Sequence, residues 1–128
     1  MWMDVPWAAS RRYDAKSVTV LELHGDLVAG TVLKLQRDVA AALADSDHAL
    51  VLDLQHVRTV DTTGATMLAA AAQAARPQAS VRLAHPPPRI RAVLRTVGVL
   101  DAVAVFNTVA GAVRGDAADV LADQPPSW

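Results

Sequence analysis

Residues 49–76 read ALVLDLQHVRTVDTTGATMLAAAAQAAR, and the stretch divides into three parts. Ala49 to Leu54 is a nearly continuous apolar run, as expected of a strand covered on both faces. Val60-Asp61-Thr62-Thr63-Gly64 is a turn. Ala65 to Arg76 follows as an alanine-rich helical pattern, with Met67, Leu68, Ala71, Ala72 and Ala75 at core spacing. Pro77 stands just past its end, where prolines gather. A turn of this kind at a helix start has a definite chemistry. Asp and Thr oxygens can accept hydrogen bonds from the unpaired N–H groups of the first helical turn. Gly64 lets the backbone bend closely. The positive end of the helix tolerates an anion beside it, so a hydroxyl at this place could carry a phosphate.

Outward from this stretch, strands and helices alternate. Upstream, Val18 to His24 is rich in β-branched residues and predicts a strand that Gly25-Asp26-Leu27 ends. Thr31 is placed to cap a helix from Val32 to Ala44, whose apolar positions Val32, Leu35, Val39, Ala42 and Leu43 recur at helical spacing. Asp45-Ser46-Asp47 stops it. Downstream, Val81 to Ala84 predicts a third strand, and Pro86-Pro87-Pro88 is a stiff connector. Ile90 to Val97 is an amphipathic helix, with Ile90, Val93, Leu94 and Val97 on one face and Arg89, Arg91 and Arg95 around the other. Gly98 sits where a left-handed C-terminal cap belongs. Val103 to Phe106 is a fourth strand, and Asn107 or Thr108 caps a last helix reaching about Ala122, weakened by Gly111 and Gly115. The segment Arg11 to Lys16 reads as a turn or short edge strand. Such alternation implies a parallel or mixed sheet with helical crossovers. Residues 1–17 form an arm or edge strand, 18–122 the domain and 123–128 a tail.

Composition bounds the function. The chain has 128 residues, 52% of them hydrophobic and 20% charged, which suits one folded domain. Its net charge is −1 and it has no basic block, so nucleic acid is not expected as a partner. It has no cysteine, which excludes disulfides, thiolate catalysis and Cys-based metal sites. No segment has the length and apolarity of a membrane span, and no signal peptide is visible, so neither membrane insertion nor export is expected. His24, His48, His56 and His85 are scattered without ligand spacing, so no metal is expected. No other cofactor is implied. Convergent acid, base and nucleophile groups, which an enzyme needs, are not on display.

The residues now carry a resemblance. Gly25-Asp26-Leu27, Thr31-Val32 and Leu35, Val51-Leu52-Asp53-Leu54, Val57, Val60-Asp61-Thr62-Thr63-Gly64, and Leu94 with Val97-Gly98-Val99-Leu100 match the STAS domain in order and spacing. That family includes sulphate-transporter cytoplasmic domains and anti-sigma factor antagonists. The resemblance covers roughly Val18 to Ala122. It implies an α/β fold, a mixed sheet of about four to five strands packed against about four helices. It also implies a cytoplasmic, non-enzymatic binding module controlled by phosphorylation. In anti-sigma factor antagonists the first hydroxyl residue after the motif aspartate is the phosphoacceptor, here Thr62. The unphosphorylated form binds an ATP-binding anti-sigma factor kinase and frees the sigma factor, and a phosphatase resets the phosphorylated form. The partner surface so implied centres on Asp26, Asp61, Thr62, Thr63 and Gly64. Two positions depart from the family. Thr62 stands where serine is usual, and Val28 stands where a second acidic residue is usual.

Each motif also has a plainer reading. Thr62 and Thr63 can simply cap a helix, Asp61 can simply hold the turn, and Asp26 can be a solvated loop residue. Arg89, Arg91 and Arg95 read as a solvated helix face, and Trp2, Trp7 and Trp128 as packing or tail residues. Against the phosphorylated module stands a different class, a constitutive STAS assembly subunit of a lipid-transport complex or signalling scaffold that uses the same surface without phosphate.

Overall fold

The computed structural model describes residues 8–15, 17–45, 49–76 and 79–122. Trp2, Trp7, Trp128, His48, Pro77 and the Ser46-Asp47 stop lie outside the described residues. The order of elements is β1 (Ala8–Ala15), β2 (Val18–Leu27), α1 (Val32–Ala44), β3 (Ala49–Val60), α2 (Thr62–Ala75), β4 (Ser80–Ala84), α3 (Pro88–Val97), β5 (Val105–Phe106) and α4 (Val109–Arg114). The five strands form one sheet in the order β1-β2-β3-β4-β5. β1 runs antiparallel to β2, and the other neighbours are parallel. This is the mixed α/β sheet with four helices that the sequence implies.

Alternation along the strands sorts the core into two parts. Leu21, Leu23, Leu50, Leu52 and Leu54 face α1, α2 and α3, where Leu35, Val39, Met67, Leu68, Ile90 and Leu94 complete the larger apolar cluster. Val18, Val20, Ala49 and Val51 point the other way, toward Phe106 and the Ala112 of α4. α4 covers only part of that second face.

Several boundaries differ from the sequence reading. β2 does not end at Gly25 but continues through Leu27, because its pairing with β3 continues, Asp26 opposite Thr59 and Leu27 opposite Val60. β3 accordingly runs six residues past Leu54. Its register against β2 shifts twice, between Glu22 and His24 and between Gly25 and Asp26. Each bulge inserts a residue on β3. The inward positions therefore become Leu54, Val57 and Val60, three apart, and the two-residue period that marks a strand is lost. α2 begins at Thr62 rather than Ala65. Ala71 and Ala75, expected in the core, are half-buried. Thr31 sits at the N-cap of α1 without making a side-chain cap bond. Its hydroxyl instead donates to the Asp26 carbonyl at 2.6 Å and accepts from the Val28 N–H at 3.1 Å, bracing the β2–α1 loop. β5 is two residues long, and α4 stops at Arg114, where Gly115 turns left-handed at φ 64°. Gly98 adopts the expected left-handed C-cap of α3, at φ 91°.

Candidate functional site

The turn that carries Thr62 lies where three segments meet. β2 ends at Leu27, the β2–α1 loop spans residues 28–31, and β3 hands over to α2 at Asp61. Asp61 is the N-cap of α2, with one carboxylate oxygen accepting from the Gly64 N–H at 2.8 Å. The other oxygen accepts from the Ala29 N–H at 3.1 Å, and the Asp61 N–H donates to the Leu27 carbonyl at 3.1 Å. One residue thus fastens the loop, the strand end and the helix start together. Gly64 makes that meeting possible. A methyl group there would collide with the backbone carbonyl of Leu27, so no larger residue fits without moving the helix away.

The hydroxyls follow from this frame. With Asp61 as cap, Thr62 and Thr63 are the first two residues of α2, and both are exposed. Neither is the cap, which settles one of the plain readings against them. Their N–H groups belong to the helix end that lacks intrahelical partners, where an anion is favoured. No acidic side chain occupies the first turn of α2. Both threonines line the head of a groove of about 500 Å³ between α1 and α2, together with Val32, Leu33, Gln36 and Met67.

Asp26 is placed differently. Its carboxylate is gripped by the Arg58 guanidinium through two bonds of 3.0 Å and by the Thr59 hydroxyl at 2.8 Å. Arg58 first, then Thr59, hold its pKa below the ordinary carboxylate range, against a smaller opposing effect of burial. Asp26 is therefore bonded to the end of β3 rather than to the turn at Thr62, and it is half-buried rather than a solvated loop residue. Arg89, at the start of α3, donates to the Arg58 carbonyl at 2.9 Å, which ties a third helix to the same end of the sheet. Sequence reasoning missed Arg58, Thr59 and the groove. The available signals were Leu33, an apolar residue off the core stripe of α1, and the lack of any charge in α2.

On the sheet face away from α1 and α2 lies a second polar group that the sequence did not announce. Glu22 is 8% exposed, accepts from the Arg11 guanidinium at 2.8 Å and lies 3.2 Å from His24 Nε2. His24 and His56, paired across β2 and β3, stack with ring centroids 4.7 Å apart. Asp53, 4% exposed, accepts from the Gln55 N–H at 3.0 Å. Among the described residues, no three His, Asp or Glu side chains converge on a point that could hold a metal ion. No described helix is long and apolar enough to cross a membrane.

Comparison with known proteins places these features. The STAS domain family model matches residues 11–112. An anti-sigma factor antagonist from Mycobacterium paratuberculosis superposes with a TM-score of 0.79 at 23% identity, over 85% of this chain and 93% of that one. The Bacillus cell fate determinant SpoIIAA, in its phosphorylated form, superposes at 0.58 and 16% identity, over 84% and 98%. The murine anion transporter Slc26a9 superposes at 0.70 and 19% identity, over 80% of this chain and 18% of the transporter. No curated protein sequence matches the chain significantly.

Proposed function

This chain belongs to the STAS domain family, and we propose that within it the chain acts as an anti-sigma factor antagonist switched by phosphorylation of Thr62. The observation that supports this most directly is the placement of Thr62. It is exposed, it is the first residue of α2, and it lines the head of the α1–α2 groove beside a turn that Asp61 and Gly64 hold rigid. Proteins with this fold include anti-sigma factor antagonists, and one of these, SpoIIAA, has a structure in its phosphorylated form. Asp61 holds the turn, Thr62 takes the phosphate, and Thr63, Gly64 and the β2–α1 loop surround it. The partner is an ATP-binding anti-sigma factor kinase, and a phosphatase resets the cycle. The protein works by binding, as substrate and ligand in the cytoplasm, and not as a catalyst.

The energetics suit a surface switch. A phosphate adds about −1.5 to −2 charges at neutral pH. Turning binding from mostly on to mostly off takes roughly 10²- to 10⁴-fold in affinity, about 3 to 5.5 kcal/mol. A dianion buried in an interface without a partner can supply that. The open end of α2 stabilises the same phosphate in the free protein, so the fold is kept.

The test is intact-mass analysis after incubation with ATP and each small anti-sigma-type kinase encoded in the source genome. One added phosphate on the wild type and none on Thr62→Ala is the expected result. A phosphate that persists on Thr62→Ala, or none with any kinase, overturns the assignment. One observation favours a second reading. The acidic group at Asp26 is engaged by Arg58 and Thr59, and Val28 supplies no other, so a constitutive STAS subunit would also be served by this surface. A stable complex with a transport or scaffold protein, unaffected by ATP, would mark that case.

A further inference from the structure

The two edges of the sheet are finished differently. β5 is two residues long, and its outer side is closed by an antiparallel bridge from Phe106 to Val120. β1 is eight residues long and pairs with β2 alone, so its outer row of backbone N–H and C=O groups meets no other described strand. A free edge of this kind is a template for another strand unless something blunts it. β1 contains no proline and no lysine. All eight of its residues pair with β2 in one unbroken register, so no bulge turns the edge away. Residues 11–14 are exposed, and Tyr13, at 38%, is one of two large apolar side chains that stand in solvent among the described residues. What the edge does carry is charge, at Arg11, Arg12 and Asp14, and that charge selects the partner.

Arg11 is bonded to Glu22 at 2.8 Å, and Arg12 to Asp45 at 2.8 Å through one of its nitrogens. A guanidinium has further donors, so Arg12 can serve a second carboxylate. Asp14 accepts from the Thr19 hydroxyl at 3.0 Å and has no cation beside it among the described residues. Arg12 and Asp14 lie on the helix-covered face, opposite Leu21 and Thr19, and Tyr13 lies between them on the other face, opposite Val20. If β1 pairs antiparallel with the β1 of a second copy, two-fold symmetry centres the pair on one residue and keeps each face of the sheet on its own side. Centring on Arg11 or Arg12 sets arginine opposite arginine, and centring on Asp14 sets aspartate opposite aspartate. Like charges directly opposite one another destabilise a pair of strands. Centring on Ser10 forms no ion pair. Centring on Tyr13 sets Arg12 opposite the other copy's Asp14 twice over, with Tyr13 against its own copy.

We propose that β1 is a dimerisation edge that takes the β1 of a second copy of this chain, antiparallel and centred on Tyr13, so that two five-stranded sheets run on as one. Backbone hydrogen bonds supply the attraction, and the two Arg12–Asp14 pairs fix the register. A few residue pairs of strand make a small interface, so the dimer is reversible. Its two-fold axis stands normal to the sheet and reverses the strand direction. The two Thr62 turns therefore lie at opposite ends of the joined sheet. On the reading of Thr62 given above, the dimer presents two acceptor turns at once; the pairing itself does not depend on that reading.

The experiment is a charge swap read by sedimentation velocity between about 10 μM and 1 mM, the range of a weak interface. The wild type is expected to move from the 13.5 kDa of one chain toward twice that mass. Arg12→Asp and Asp14→Arg each set like charges opposite one another and should raise the Kd about 10-fold or more. Mixed in equal amounts, the two variants should pair with each other at close to wild-type affinity, because each supplies the charge that the other lacks. The swap within one chain, Arg12→Asp with Asp14→Arg, should self-pair in the same way. Circular dichroism melts check that each variant is folded, and the swapped chain decides the matter if a single variant is not. A wild type that stays at the mass of one chain throughout overturns the proposal. So does a dimer that neither single variant weakens, and so do single variants whose mixture, like the swapped chain, stays monomeric.

Discussion

Val51 and Leu52 are neighbours on β3 and point to opposite faces of the sheet, and they meet different surroundings. Leu52 enters a cluster completed by three helices, fully buried among leucines. Val51 enters a smaller cluster under the short α4, with Phe106 and Ala112, while the same face further along carries Glu22, Asp53, His24 and His56. The helix-covered face is a continuous apolar layer that ends in the rigid turn at Thr62. The other is half apolar core and half polar network. The difference teaches that the site is supported from one side. Its frame, Leu27, Asp61 and Gly64, lies at the end of the face that carries the larger apolar cluster, and the polar network lies on the other face.

Core truncation tests this most strongly. Leu52→Ala should cost about 2–5 kcal/mol in equilibrium urea unfolding, a transfer term plus a cavity. Val51→Ala removes fewer atoms from the thinner layer and should cost about 2 kcal/mol. A Val51→Ala cost equal to or above that of Leu52→Ala would mean that the α4 face, and not the helix face, carries the stability. The next largest effect compares two buried glycines. At Gly64 an added methyl group meets the Leu27 backbone carbonyl, whereas at Gly111 on α4 it meets the Asp119 side chain. Rotation cannot clear the Asp119 Cβ, and its carboxylate is held by the Thr108 N–H and hydroxyl, so Gly64→Ala should cost about 1–3 kcal/mol and Gly111→Ala a comparable amount. Gly64→Ala should also loosen the Asp61 clasp, read as faster amide exchange at Gly64 and Ala29, the two N–H groups Asp61 holds. Wild-type protection at both would show that α2 can shift without disturbing the site.

The same contrast governs how much the sequence disclosed. On the helix-covered face the reading worked because the causes are local and periodic. Leu35 and Val39, Met67 and Leu68, and Ile90 and Leu94 recur at helical spacing, and all six are buried. The motif aspartate, hydroxyls and glycine stood together in the sequence and meet in space because they are consecutive. The pairing of Asp26 with Arg58 and Thr59 was not legible in this way. It depends on a register shift between two strands that bring residues 32 and 33 positions apart together, and nothing in either strand alone specifies a bulge. The stack of His24 on His56 is hidden for the same reason. Each histidine looks isolated, and only the parallel pairing of β2 with β3 makes them neighbours. The end of the last helix was missed because alanines continue past Gly115, and the left-handed turn there stops the helix regardless of propensity.

The smallest expected effect distinguishes the two polar networks by acid. Glu22 has its pKa lowered, first by its bond to Arg11 and then, against burial, by His24. Asp26 is lowered by Arg58 and Thr59. Both are carboxylates whose folded pKa lies below the unfolded value. Each therefore contributes stability that is fully present above the ordinary carboxylate pKa of about 4, and loses it as the pH falls through the lower folded value. The urea midpoint should accordingly fall on acidification below about pH 4. Arg11→Ala should flatten the part of that limb owed to Glu22, on the α4 face. Arg58→Ala should flatten the part owed to Asp26, beside the Thr62 turn. Both arginines are largely exposed, with side chains 72% and 64% accessible, so each change is expected to be modest and to shrink in salt. The informative quantity is additivity. If the two networks are independent, the double variant loses the sum of the two single effects. A loss well below that sum would mean that the bulged strands couple the sheet's polar face to the turn at Thr62, and the two faces would have to be treated as one unit.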